Sequence, residues 1–184
     1  MKKILVIGAG AREHALGWKL KQSSEVEKIY FVPGNAGTAQ IGENISLPIS
    51  DREQLVEWCK KMLIDFTVVG PEAPLADGIV DAFKSAGLAI FGPTKLAARL
   101  ETSKTWAAEF MQKHNIPQPE FNKCTSVADA YTVLRHVDWQ KKPVVIKVDG
   151  LAAGKGVFLP ASHEESLQII NSIMLSKAFG DAGN

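Results

Sequence analysis

Four short apolar runs constrain this chain more than any other feature: Ile4-Leu5-Val6-Ile7, residues 28–32, Phe66-Thr67-Val68-Val69 and Leu88-Ala89-Ile90-Phe91. Each ends at a glycine-containing loop, and helical patterns fill the intervals. Continuous β-branched and aliphatic runs suit strands covered on both faces. Alternation of strands with helices builds βαβ units on an open, mostly parallel sheet, an α/β fold of the Rossmann-like kind. The helical patterns run over residues 12–22, then from Asp51 as N-cap through Leu55, Val56, Cys59, Met62 and Leu63, and again over 76–86. Such sheets carry their functional loops outside the carboxyl ends of the strands. Those loops are residues 8–13, 33–38, 70–75 and 92–95, in a first domain spanning residues 1–103.

The remainder changes character. A helix pattern with Trp106, Ala107, Phe110 and Met111 is closed by Ile116-Pro117-Gln118-Pro119, which cannot continue a helix. Residues 104–122 thus read as a connecting helix and hinge. Residues 123–184 read as a small α+β unit: a helix over 126–137, a strand over 143–148, a glycine-rich turn, a strand over 157–159 and a helix over 162–176.

Twenty-one Lys and Arg against 20 Asp and Glu give a net charge of +1, so no global field draws in nucleic acid or an anionic membrane. No run approaches the ~20 apolar residues of a membrane span, and the opening apolar run is too short for a signal peptide. Cys59 and Cys124 sit in no metal-ligand spacing; a reduced cytoplasmic protein is the simplest expectation, and one distant disulfide stays open. Phosphate binding, if present, must come from a few placed groups.

The turn Gly8-Ala9-Gly10-Ala11-Arg12-Glu13-His14 follows a strand and opens a helix, so its amides suit an anion. It is similar to a dinucleotide fingerprint but has Glu13 in place of the third glycine, and the second strand ends at Val32-Pro33-Gly34 without a ribose-binding acid. Arg12, Glu13 and His14 suit catalysis. They equally suit a plain arrangement, with Glu13 on the helix dipole, Arg12 solvated and His14 packed. Gly34, Asn35 and Gly37 are turn formers, and Glu72 and Asp77 read equally as surface carboxylates. Together on one edge, these loops make a substrate rim.

The segment Lys147-Val148-Asp149-Gly150-Leu151-Ala152-Ala153-Gly154-Lys155-Gly156-Val157 carries the sharpest signal. It is not a Walker A loop, being one residue short, lacking Ser or Thr after Lys155, and preceding a strand. Its small residues would still let amides approach phosphate oxygens. Lys147 is expected to end a buried strand, where a charge needs a partner; a glycine hairpin with a snorkelling lysine is the plain alternative. A charge-assisted hydrogen bond contributes ~1.5–3 kcal/mol, so several converging donors are needed.

These motifs, with Pro33-Gly34-Asn35-Ala36-Gly37-Thr38, Gly70-Pro71-Glu72-Ala73-Pro74-Leu75, Gly92-Pro93 and Leu100-Glu101-Thr102-Ser103-Lys104, resemble the phosphoribosylamine–glycine ligase family in order and spacing. The resemblance implies a pre-ATP-grasp sheet domain followed by an ATP-grasp lid subdomain. It implies ATP-dependent joining of glycine to 5-phosphoribosylamine through a glycyl phosphate, giving glycinamide ribonucleotide, ADP and phosphate in purine biosynthesis. It also implies ATP contacts from Lys104, Lys147, Asp149, Gly150, Gly154, Lys155 and Gly156. Substrate contacts would come from Gly8, Gly10, Arg12, Glu13, His14, Gly34, Asn35, Gly37, Glu72 and Asp77. Relatives are more than twice as long, and their Mg2+ ligands are expected beyond Asn184, so the missing carboxyl-terminal half is the expected partner and the segment alone is expected to be inactive. Two competing readings remain: an NAD(P)-dependent oxidoreductase, and a non-catalytic nucleotide-binding fragment with an exposed apolar edge.

Overall fold

The computed structural model describes residues 1–150 and 156–180, and the chain divides into two compact units, Met1–Ala98 and Arg99–Asn184. The first contains strands β1 (Lys2–Gly8), β2 (Val26–Pro33), β3 (Glu43–Asn44), β4 (Phe66–Val69) and β5 (Ile90–Phe91). They form one parallel sheet in the order β3-β2-β1-β4-β5. Between and after them run helices α1 (Ala11–Leu20), α2 (Arg52–Met62), α3 (Glu72–Ala76), α4 (Ile79–Ser85) and α5 (Lys95–Thr102).

The central strand explains its own sequence. Leu5 and Ile7 of β1 face one way, into a core with Tyr30, Val32, Leu55, Cys59, Ile79, Val80 and Phe83. Ile4 and Val6 face the other, against Ile29, Phe31, Leu20 and Ile41. Both faces are therefore dry, and an unbroken apolar run is what such a strand needs. Each such side chain stabilises the fold by ~1.5–3 kcal/mol through burial. Asp51 caps α2 as its sequence position suggested, its carboxylate accepting from Gln54 N at 2.9 Å.

Two local expectations are corrected and one element is new. The helix read over 76–86 is α4, which starts only at Ile79 after Gly78 turns to φ +85°, and a separate short helix, α3, precedes it. The run at 88–91 pairs only over its last two residues. The two-residue β3, paired to β2 at the sheet edge, had no apolar run to announce it.

Among its described residues, the second unit contains α6 (Lys104–Lys113), α7 (Val127–Leu134), the antiparallel pair β6 (Ile146–Lys147) and β7 (Val157–Phe158), and α8 (His163–Ile170), which continues into a π turn, Asn171–Leu175. Ser103, Ser126 and Ser162 cap α6, α7 and α8, each hydroxyl accepting the amide three residues on. One core joins Ala130, Leu134 and Ile170 with Val144, Ile146 and Leu167. The strand expected over 143–148 forms only at 146–147, and it is not buried on both faces. Val145, Val157 and Leu159 are 47%, 50% and 76% exposed. Lys147 shares their side of the pair and is exposed too. A small two-stranded sheet covers one face with helices and leaves the other open, so the inference that Lys147 is a buried charge does not hold.

Candidate functional site

Strand order reverses between β1 and β4, and ligands of doubly wound sheets bind in the crevice beyond that point. The loop after β1 leads into α1, and Glu13 in its first turn is only 2% exposed. Its carboxylate accepts from Gly10 N at 2.6 Å and from Arg12 Nε at 3.0 Å. A methyl group on Gly70, just past β4, would stand 2.5 Å from both Cγ and Cδ of Glu13; one on Gly8 would stand 2.5 Å from Cγ. Glycine at both strand ends is thus a condition for the carboxylate to lie where it does.

Arg12 carries the connection outward, its Nη1 donating to Glu72 Oε1 at 2.9 Å. Glu72, and after it Glu13, raises the guanidinium's pKa, and the Arg12 hydrogen bond holds the Glu72 carboxyl below its ordinary value. With all three ionised, the trio carries one net negative charge.

Asn35 stitches the second loop to the first. Its Nδ2 donates to Ala9 O at 2.9 Å, while its Oδ1 accepts from Gly37 N at 2.7 Å and Thr38 N at 3.0 Å. The fully buried Thr38 hydroxyl accepts from Asn35 N at 2.7 Å, and Asn44 Nδ2 donates to Asn35 O at 2.7 Å. His14 is half-buried against Gly37, where a methyl group would come within 3.0 Å of its Cε1. Of the expected rim residues, Gly8, Gly10, Arg12, Glu13, His14, Gly34, Asn35, Gly37 and Glu72 lie on these joined loops. Asp77 is exposed at the far end of α3, where its backbone N–H closes the helix on Ala73 O and its backbone carbonyl accepts from Arg52. Glu13 is the other departure: its side chain supports the rim from beneath. Thr38, Asn44 and Gly70 were not singled out as site residues. Thr38 ends a turn motif that the sequence displays, whereas nothing in the sequence marks Asn44.

In the second unit, Asp149 is the hub. Its Oδ2 accepts from the Ser103 hydroxyl at 3.1 Å; its Oδ1 accepts from Thr105 N at 3.3 Å and Gly150 N at 3.0 Å. Ser103 therefore caps α6 and donates to Asp149 at once. Burial alone would push the Asp149 pKa up, but the bonds from Thr105, Gly150 and Ser103 outweigh it and the net direction is down. Lys104 Nζ donates to Gly150 O at 3.0 Å, which fixes this lysine beside the turn. None of the ion pairs among the described residues involves Lys147. Gly156 closes the strand pair, its carbonyl accepting from Val148 N at 2.8 Å. Gly154 and Lys155 lie outside the described residues.

Neither cysteine is poised as a nucleophile. Both are free; burial pushes the Cys59 thiol up to about 12 and raises Cys124 as well.

A parallel sheet with glycine loops on its carboxyl edge precedes a helix-backed strand pair that carries Lys147. Family models match in that order: phosphoribosylglycinamide synthetase N domain over residues 2–101, and phosphoribosylglycinamide synthetase ATP-grasp (A) domain over 102–184. The chain belongs to the phosphoribosylglycinamide synthetase family. It is 50% identical over 183 residues to phosphoribosylamine–glycine ligase of Yersinia pestis, covering 98% of this chain and 42% of that protein. It is 47% identical over 184 residues to the ligase of Vibrio parahaemolyticus, covering 99% and 42%. The crystal structure of phosphoribosylamine–glycine ligase from Thermotoga maritima superimposes with a TM-score of 0.78 at 29% identity, over 97% of this chain and 41% of that one. The biotin carboxylase domain of Hydrogenobacter thermophilus 2-oxoglutarate carboxylase, at 17% identity and a TM-score of 0.74 over 98% and 42%, shares the fold. The chain thus spans 42% of the length of the curated relatives it matches. Glu13 gives a physical argument against the dinucleotide-binding reading: its carboxylate already accepts the Gly10 N–H in a turn that the dinucleotide fingerprint leaves to a pyrophosphate.

Proposed function

We propose that the protein containing this chain is an ATP-dependent ligase joining glycine to 5-phosphoribosylamine, giving glycinamide ribonucleotide, ADP and phosphate. The observation that carries this is identity of 47–50% to phosphoribosylamine–glycine ligases across nearly every residue of the chain. In this reading the glycine carboxylate attacks the γ-phosphorus and ADP leaves. The sugar amine then attacks the acyl carbon, phosphate leaves, and the amine nitrogen gives up a proton. Phosphoryl transfer of this kind depends on positioning and charge neutralisation more than on a protein nucleophile, which agrees with the raised thiols.

Within the chain, Lys147 on the open face of the β6–β7 pair and Lys104 beside Gly150 are the cations proposed for the ATP phosphates. Gly154, Lys155 and Gly156 are proposed as further contacts to ATP. The joined loops bearing Gly10, Arg12, His14, Asn35, Gly37 and Glu72 are proposed for glycine and phosphoribosylamine, with Asp77 on their margin. Magnesium would neutralise the transferring phosphate oxygens. Asp149 does not suit it as a ligand, because its oxygens already accept three hydrogen bonds. The ion's ligands are proposed on the part of the family's length that this chain does not span.

The test is an assay of the full-length enzyme for coupled formation of ADP and glycinamide ribonucleotide. Release of ADP that ignores both glycine and the sugar amine would reject the assignment. Lys147→Ala should raise the KM for ATP about tenfold, the loss of one charge-assisted hydrogen bond, with the KM for glycine unchanged.

A further inference from the structure

The buried carboxylate at the switch point has a place of its own. Three glycines surround it: Gly8 and Gly70 at the ends of adjacent strands, and Gly10 at the start of α1, where an added methyl group would lie 2.8 Å from Glu13 Oε2. The amino end of a helix carries partial positive charge and unpaired N–H groups, and in dinucleotide-binding turns a ligand phosphate satisfies them. Here Gly10 N–H is already bonded to Glu13. The same carboxylate holds Arg12 Nε, leaving Nη1 for Glu72. One buried group therefore sets the direction of an Arg–Glu pair drawn from the first turns of two separate helices, α1 and α3.

We propose that Glu13 is the positioning residue of this crevice: its carboxylate takes the phosphate's place at the α1 terminus, keeps nucleoside diphosphates out, and fixes Arg12 and Glu72 for the sugar-amine substrate. The exclusion stands on geometry alone; the substrate half rests on the function proposed above. Glutamine at position 13 keeps the volume and one acceptor oxygen, but turns an amide donor toward either Gly10 N–H or Arg12 Nε–H. Two donors facing each other cannot bond, so one of the two bonds is lost, and Arg12 and Gly10 can no longer both be held by residue 13.

In the full-length enzyme, Glu13→Gln should raise the KM for phosphoribosylamine about tenfold while kcat and the KM for ATP stay within about twofold, the pattern of lost ground-state positioning. An unchanged KM in a folded variant, or an equal fall in kcat for all substrates, overturns the positioning role. A second measurement does not depend on the reaction. Glu13→Ala empties the cradle, so the Gly10 and Arg12 amide resonances should shift saturably with inorganic phosphate, whereas those of the unaltered protein should not. Equal shifts in both proteins, or none in a folded Glu13→Ala variant, overturn the exclusion. If Glu13→Ala fails to fold, the glutamine comparison decides. If the unaltered enzyme makes no glycinamide ribonucleotide, the function proposal fails and the phosphate titration still stands.

Discussion

Replacing Gly17 by alanine should destabilise the sheet unit by about 2 kcal/mol, although alanine is the better helix former. Two effects oppose each other. Removing a glycine from the interior of α1 favours the helix by roughly 1 kcal/mol. The new methyl group, however, would overlap Phe31 Cζ and lie 2.6 Å from Phe31 Cε1, with Ile41 Cδ1 at 3.2 Å. Phe31 is fully buried in β2, so its ring must push on packed neighbours to make room. Overpacking of this kind costs ~1–3 kcal/mol, occasionally more, and a rigid aromatic ring puts the cost at the upper end. Thermal or urea unfolding measures the difference. The double variant Gly17→Ala with Phe31→Leu should recover part of it, because the shortened side chain frees the space the methyl group needs. A single variant more stable than the parent would mean that α1 can lift off the sheet without penalty.

That contact also shows where the sequence stops being legible. The dinucleotide comparison looked for a small residue at position 13, the third glycine of the fingerprint, to let helix and strand approach. The close approach exists, but one turn later, at Gly17 against Phe31. Position 13 is then free to carry a carboxylate. Sequence pattern found what depends on burial and capping along one element: β4 with its bounds, the two-faced run of β1 and the Asp51 cap. It missed what depends on partners distant in the chain. Pro143-Val144-Val145-Ile146 reads as a buried strand because its residues are apolar, yet only helices on one side cover it, and Val145 stays half-exposed. Whether Lys147 is buried follows from that second face, which local sequence does not encode. The rim's glycines were visible singly; the reason for Gly8 and Gly70, a carboxylate contributed by α1, was visible only once the two strands lay side by side.

Asp149→Ala should cost the second unit about 2 kcal/mol at neutral pH, and the cost should shrink in acid. The carboxylate accepts from the Ser103 hydroxyl, Thr105 N and Gly150 N, tying the start of α6 to the turn after β6. Hydrogen bonds to a charged group contribute ~1.5–3 kcal/mol where shielded. Asp149 is half-buried, so water replaces part of what is lost, and the sum stays near one such bond. A negative charge at the amino end of α6 adds roughly 0.3–1 kcal/mol through the helix dipole. The direction in pH follows from the lowered pKa: the folded chain holds this proton less tightly than the unfolded chain, whose aspartates titrate near ~3.9. Its stabilisation is therefore full above about pH 4 and lost as pH falls through the lower folded-state value. Asp65, Glu72, Glu120 and Asp129 are also shifted down and bend the acid limb of the parent and the variant alike. The informative quantity is thus the difference in unfolding temperature between parent and Asp149→Ala, measured from pH 7 downward. A gap that stays constant to pH 2 would mean the charge is irrelevant and only the side chain's shape matters. A gap that closes assigns the tie between α6 and the turn to the ionised carboxylate. Asp149→Asn, keeping one acceptor without the charge, should then lie between the two at pH 7 and show a flatter acid limb than the parent.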